Sequence, residues 1–283
     1  MRNNKIIFEE RYALHPNDVK HYDTEQLRKE FLIEKIFLED KILLTYSLYD
    51  RFIVGGAMPV NDVLSLETIN PLKSQFFCDR REVGIINIGG IGIIKIDGKE
   101  IELNTKEALY IGKGALKITL KSNSANHPAM FYINSATAHH AFPTKKITIK
   151  DAIVLDLGKA EEANKRQIIQ YIVAATVATC QLQMGITELK AGSVWNSIPP
   201  HTHNRRMEAY FYTCLPEGQA VCHFMGQEKE TRHIWMSNNQ VVLSPSWSIH
   251  CGVATSNYSF IWGMAGENLD FKDMDVIPIV NLK

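Results

Sequence analysis

Twice along this chain a series of short apolar segments passes the same landmarks in the same order, and that repetition limits the fold more than any other feature. Glu82-Val83-Gly84 leads to Asp97-Gly98, then to Ala108-Leu109-Tyr110-Ile111-Gly112-Lys113-Gly114, then to Phe131-Tyr132-Ile133. Glu208-Ala209-Tyr210 leads to Met225-Gly226, then to Val241-Val242-Leu243-Ser244-Pro245-Ser246-Trp247, then to Phe260-Ile261-Trp262. Order and spacing agree although few identities do, the mark of a duplicated architecture. Within each copy apolar and polar residues alternate, as in Leu116, Ile118 and Leu120 against Lys117, Thr119 and Lys121. A period of two belongs to strands with one buried face. With 283 residues, 45% of them hydrophobic, each copy can close around its own core. An all-β fold of two jelly-roll-like barrels is expected.

Helical signals are few. Asp23 can cap a helix, with Gln26 three residues on and Leu27 and Phe31 at helical spacing, so residues 23–35 read as one amphipathic helix. Residues 159–171 read as a second helix linking the copies. The expected division is therefore 1–155, an N-terminal helix plus the first barrel, and 156–283, a helical linker plus the second barrel.

The copies differ in chemistry. Ahead of and within the second copy stand His201-Thr202-His203, then Glu208, then Pro245 to His250, the patterns H-x-H-x4-E and P-x4-H. Residues two apart on a strand share a face, so His201 and His203 can grip one ion while Thr202 points away. Residues 204–207 allow the bend that brings Glu208 in from the next strand. Three imidazoles and a carboxylate suit zinc, iron, manganese or nickel. The first copy has no H-x-H ahead of Glu82 and Gly112-Lys113-Gly114 in place of the approach to His250, so only the second can hold the metal. Four protein ligands could also close a purely structural zinc, but such sites usually rely on cysteine thiolates.

H-x-H-x4-E followed by P-x4-H is the pattern of the cupin superfamily, small β-barrels with a metal at one end. A closer resemblance spans the chain. The stretches His15-Pro16-Asn17-Asp18-Val19-Lys20, Tyr49-Asp50-Arg51-Phe52-Ile53-Val54-Gly55-Gly56, His201-Thr202-His203-Asn204-Arg205-Arg206-Met207-Glu208 and Ser244-Pro245-Ser246-Trp247-Ser248-Ile249-His250 resemble the 4-deoxy-L-threo-5-hexosulose-uronate ketol-isomerases. Trp247 stands where many cupins have glycine. The resemblance implies a bicupin, one zinc ion, a homohexamer, and isomerisation of that keto-uronate from pectin breakdown to 3-deoxy-D-glycero-2,5-hexodiulosonate. Readings left open by the ligands alone are a cupin metal dioxygenase and a non-catalytic sugar-binding bicupin.

Around the ligands, Arg206 is the candidate to clamp the substrate carboxylate, while Arg205 reads as a solvated turn. No spacing singles out a general acid or base. His223 is the best placed of the remaining histidines, though a core role fits it better. Trp247, Trp262 and Met264 read as barrel packing. Gly89-Gly90-Ile91-Gly92 lacks the features of a phosphate-binding loop.

Composition excludes other classes. Lys plus Arg equals Asp plus Glu at 31 each, so no global field draws nucleic acid or an anionic membrane. The apolar runs 84–96 and 168–184 are broken by Asn87 and Lys95 or by Gln170, Gln181 and Gln183, and neither reads as a membrane span. Cys78, Cys180, Cys214, Cys222 and Cys251 are odd in number and follow no secretory leader, which fits reduced thiols in a cytoplasm.

Overall fold

A computed structural model describes residues 5–283. The chain forms two compact units, one taking residues up to Arg11, Ile36–Ala152 and Tyr171–Leu182, the other Tyr12–Lys35, Ile153–Gln170 and Gln183–Lys283. The N-terminal helix therefore belongs to the second unit, whereas the sequence division assigned it to the first.

Each unit is built from a seven-stranded and a four-stranded sheet. In the first, the larger sheet runs Ile6–Arg11, Ile42–Ser47, Ile53–Ala57, Phe131–Thr137, Arg81–Asn87, Ala108–Ile111, Lys145–Ile147. The smaller runs Leu64–Ser65, Ile118–Ser122, Gly92–Ile96, Lys99–Leu103. Val83, Ile85, Leu109, Phe131 and Ile133 from the first sheet meet Ile94 and Leu120 from the second in one apolar cluster. In the second unit the larger sheet runs Ile153–Leu157, Arg166–Ile172, Gln183–Leu189, Ser259–Gly266, Arg206–Thr213, Gln240–Ser244, Leu32–Ile33. Its smaller sheet runs Trp195–Asn196, Cys251–Ala254, Val221–Gln227, Glu230–Met236. The inner strands match in order, while at the edges the first pair is parallel in one unit and antiparallel in the other and the last strand comes from residues 145–147 in one and 32–33 in the other; the fold is the mostly β bicupin expected.

Strand pairing corrects the alignment of the two copies. Val83 faces Ile111 on one side and Ser135 on the other, while Glu208 faces Ser244 and Met264. Val83, not Glu82, thus occupies the place of Glu208. A one-residue slip turns a strand side chain to the opposite face, and short apolar strands match equally well at either register. Glu82 instead anchors its own unit: its carboxylate accepts hydrogen bonds of 2.8 Å from the backbone N–H groups of Cys180, Gln181 and Leu182 and from the Tyr110 hydroxyl.

The helix at the N-terminus spans Thr24–Phe31, with a capping box in which Asp23 accepts from the Gln26 N–H and the Gln26 side chain accepts from the Asp23 N–H. Leu27 and Phe31 are buried, and the Phe31 ring meets Trp247 edge-on at 6.3 Å. The second expected helix does not form. Residues 159–165 make a loop and Arg166–Ile172 a strand. Ile168, Ile169, Tyr171 and Ile172 are β-branched or aromatic and lose less rotamer freedom in a strand. Gly158 adopts φ +77° and the Asn164 side chain accepts from the Lys159 N–H, which closes the loop without a helical ladder. Among the described residues no helix is long and apolar enough to cross a membrane.

Candidate metal centre

Two strands and two turns bring the second unit's four candidate ligands together. His201 lies in the short strand His201–Thr202, paired with Asp275–Val276. His203 follows just beyond that strand, so the shared strand face expected for the two histidines is replaced by a strand end and the start of a turn. Glu208 is the third residue of Arg206–Thr213, a strand flanked by neighbours on both sides. His250 arrives at the end of a turn in which the Ser248 N–H donates to the Pro245 carbonyl and the Ile249 N–H to the Gly226 carbonyl.

All four side chains are buried, and their ligand atoms lie within 4.8 Å of one another. His250 Nε2 sits 3.0 Å from His201 Nε2 and 2.9 Å from a Glu208 oxygen, while His203 Nδ1 is 3.7 Å from that same oxygen. A regular tetrahedron of imidazole nitrogens about zinc would separate them by roughly 3.3 Å, given Zn–N bonds near 2.0 Å. The donor set therefore fits a divalent cation. His250 Nδ1 lies 3.3 Å from the Ser248 carbonyl oxygen. A carbonyl only accepts, so Nδ1 donates that bond, which orients the ring with Nε2 toward the cluster. Burial, reinforced by His250 and Arg206, pushes His201 and His203 well below the usual imidazole range. Both stay neutral and available as ligands.

The cluster opens into a cavity of about 220 Å³ whose walls include Arg166, Arg206, Tyr210, Trp262 and Met264. Trp262 and Met264 thus line the pocket, whereas Trp247 does not. His223 is fully buried, with Nδ1 2.8 Å from the Tyr212 hydroxyl, and burial lowers it to about 3. It is absent from the cavity wall and serves the core. Arg206 lines the cavity, but its Nη1 donates to the carbonyls of Asn268 and Asp270 and its Nη2 to that of Asp273. Those bonds pin the segment 268–273 and leave Nε as the remaining donor of this side chain. Arg205 is exposed and paired side-on with Glu267.

Two cavity residues escaped the sequence. Tyr210 projects from the same strand face as Glu208, two residues on, a relation that strand parity alone would have revealed. Its hydroxyl is 3.2 Å from Ser197 Oγ, and burial together with the Glu208 charge raises the phenol well above its ordinary range. Arg166 was hidden because its segment read as helix.

Residues 41–278 match the family described as KduI/IolB. The chain belongs to the KduI/IolB family. It is 56% identical over 276 residues to the 4-deoxy-L-threo-5-hexosulose-uronate ketol-isomerase of Formosa agariphila, covering 98% of this chain and 99% of that one. It is 54% identical to ketol-isomerase 1 of Bacteroides thetaiotaomicron, covering 99% and 100%. Among solved structures, an IolB-like protein of Salmonella typhimurium LT2 superposes with a TM-score of 0.66 at 15% identity, over 80% of this chain and 86% of the other. Oxalate decarboxylase of Lactobacillus farciminis follows the same bicupin path with a TM-score of 0.55 at 10% identity, over 81% and 79%. At those identities the structural likeness speaks for the fold and not for the chemistry.

Proposed function

We infer that this chain is a 4-deoxy-L-threo-5-hexosulose-uronate ketol-isomerase, forming 3-deoxy-D-glycero-2,5-hexodiulosonate, with His201, His203, Glu208 and His250 holding one zinc ion. The observation that carries the activity is identity of 54–56% with ketol-isomerases of that name along nearly the whole of both chains. The buried His3Glu cluster supplies the matching chemistry.

In the reaction the aldehyde carbon gains a hydrogen and becomes a CH2OH group, while the neighbouring carbon loses one and becomes the ketone. Negative charge builds on the two adjacent oxygens as this happens. A bound divalent ion supplies Lewis acidity to those oxygens. The chain's own residues do the rest. His201 and His203 present unprotonated nitrogens because burial disfavours their charged form, and the Ser248 carbonyl orients His250 with Nε2 toward the cluster. Tyr210 keeps its phenolic proton and can lend it to a substrate oxygen, since among the described residues its hydroxyl has only Ser197 Oγ as a partner to exchange. Trp262, Met264 and Phe260 furnish an apolar wall that keeps water from competing for those oxygens.

The reading includes a cytoplasmic location, in keeping with five free cysteines, and the homohexamer that the family resemblance implies, which sedimentation measures directly. The decisive test couples metal analysis of purified protein to an isomerase assay with the deoxy keto-uronate. Chelation should abolish turnover and zinc should restore it. A metal-free preparation that is fully active overturns the metal assignment.

A further inference from the structure

We propose that Arg166 receives the substrate's carboxylate through the side-on edge formed by Nε and Nη2, and so selects uronates over neutral sugars. The proposal rests on the keto-uronate reading above. Such a substrate carries its carboxylate at the end of the carbon chain opposite the aldehyde. If the aldehyde end lies at the histidine cluster, an anion must be accommodated elsewhere in the same cavity.

Two arginines line that cavity. Arg206 has both terminal nitrogens committed to backbone carbonyls, so only Nε remains, enough for one hydrogen bond. Arg166 is different. Its Nη1 donates to the Asn164 carbonyl at 2.9 Å, and its Nε is buried without a hydrogen-bond partner. Among the described residues no carboxylate pairs with it. Nε and Nη2 therefore stand free as a parallel pair of donors, the geometry that matches two carboxylate oxygens. The molecule itself shows this edge at work: Arg205 binds Glu267 with Nε at 3.1 Å and Nη2 at 2.8 Å. A half-buried guanidinium with no counter-charge is costly unless an anion arrives to pair with it.

The local fold holds the fork in place. Arg166 opens its strand, paired with Leu157 across the sheet. The loop before it is closed by Asn164, whose side chain takes the Lys159 N–H and whose carbonyl fixes Nη1. Gly158, at φ +77°, sits so close to Asn164 that an added Cβ would clash with the Asn164 carbonyl oxygen. This loop orients the side chain before any ligand binds, which limits the entropy lost on binding.

The test compares Arg166→Met and Arg166→Lys with the natural enzyme on the deoxy keto-uronate and on its neutral analogue, in which a CH2OH group replaces the carboxylate. Zinc content and the unfolding midpoint are measured in parallel. Arg166→Met should lower kcat/KM for the acid on the order of 100-fold, mainly through KM. It should leave the neutral analogue within about threefold and zinc content unchanged. Arg166→Lys should fall between, because it keeps the charge and loses the fork. If acid and neutral substrates drop by equal factors, or the acid's KM stays put, Arg166 does not hold the carboxylate. Calorimetric binding of plain galacturonate to both proteins reads the same contact without turnover. Failure of the natural enzyme to isomerise the keto-uronate would count against the functional reading; unchanged galacturonate affinity in Arg166→Met would count against Arg166 alone.

Discussion

The two barrels share a plan and an arginine, and differ in what stands two residues beyond it. Arg81 and Arg206 open equivalent strands at the same register, opposite Thr137 and Gly266. Each is buried and each donates to backbone carbonyls: Arg81 Nη2 to those of Arg51 and Ser135, Arg206 to those of residues 268, 270 and 273. The arginine is thus part of how either barrel organises its end. At the next position on the same face the first barrel has Val83, set among Ile85, Ile94 and Ile111, and the second has Glu208, set among three imidazoles. A closed apolar core and a buried cluster of three imidazoles and a carboxylate are alternative fillings of one frame. A barrel can keep its architecture while its interior changes character, because the strand pairing lies in the backbone and the chemistry in the inward-facing side chains.

Exchanging the two residues tests that idea most severely. Glu208→Val gives the second barrel the first barrel's side chain and should cut kcat/KM by more than about 10³-fold, as expected when a charged ligand to a catalytic ion is lost. Zinc content, read by elemental analysis, should fall with it. The reverse change, Val83→Glu, should yield no new metal site, because none of the residues clustered around Val83 is an imidazole. It should instead destabilise the first unit by on the order of 3–5 kcal/mol, the cost of an unpaired buried carboxyl, measured by denaturant unfolding followed by circular dichroism. If Val83→Glu binds zinc, the first barrel is a latent site and the contrast is weaker than its core implies. Tyr210→Phe probes the proton-donor role: zinc should stay bound while kcat drops roughly 10²-fold, the usual contribution of a positioned acid. Unchanged kcat would reduce Tyr210 to packing.

Much of this contrast was legible before any coordinates. Spacing picked out His201, His203, Glu208 and His250, which the fold brings together, because metal chemistry needs particular donors at intervals a strand or a turn can deliver. Landmark order revealed the duplication, because strand and turn signals are local. What failed was register: Glu82 and Glu208 looked equivalent, yet a one-residue shift leaves apolar spacing intact and reverses every face. The helix over 159–171 failed for a related reason. Ala160, Glu161, Glu162 and Ala163 have high helix propensity, but the segment's fate is set by Ile168, Ile169 and Ile172 pairing within a sheet, a nonlocal contact that propensity does not see. Arg166 stayed hidden behind that error. The place of Arg206 in the sequence says nothing of the carbonyls at 268, 270 and 273 that hold its two terminal nitrogens.

Acid offers the gentlest way to separate the two barrels. His223 is fully buried beside Tyr212, and burial holds it at about 3, far below the 6.5 of an exposed imidazole. Protons therefore bind the unfolded chain more readily than the folded one. The stability this histidine contributes is complete above pH 6.5 and is lost as pH falls from 6.5 toward 3, by at most roughly 1.4 kcal/mol per pH unit. In metal-stripped protein His201 and His203, also held low by burial, push in the same direction. The first barrel's apolar core contains no histidine. All four tryptophans, at 195, 235, 247 and 262, lie in the second unit, so their fluorescence reports that barrel by itself. Between pH 7 and 5 the denaturant midpoint read by tryptophan should fall further than the one read by backbone circular dichroism. His223→Gln should shrink that gap in the metal-stripped protein, since it removes the titrating group and keeps a polar side chain facing Tyr212. Midpoints that move together with pH would mean the two barrels unfold as one cooperative unit, and the difference in their interiors would then bear on chemistry alone.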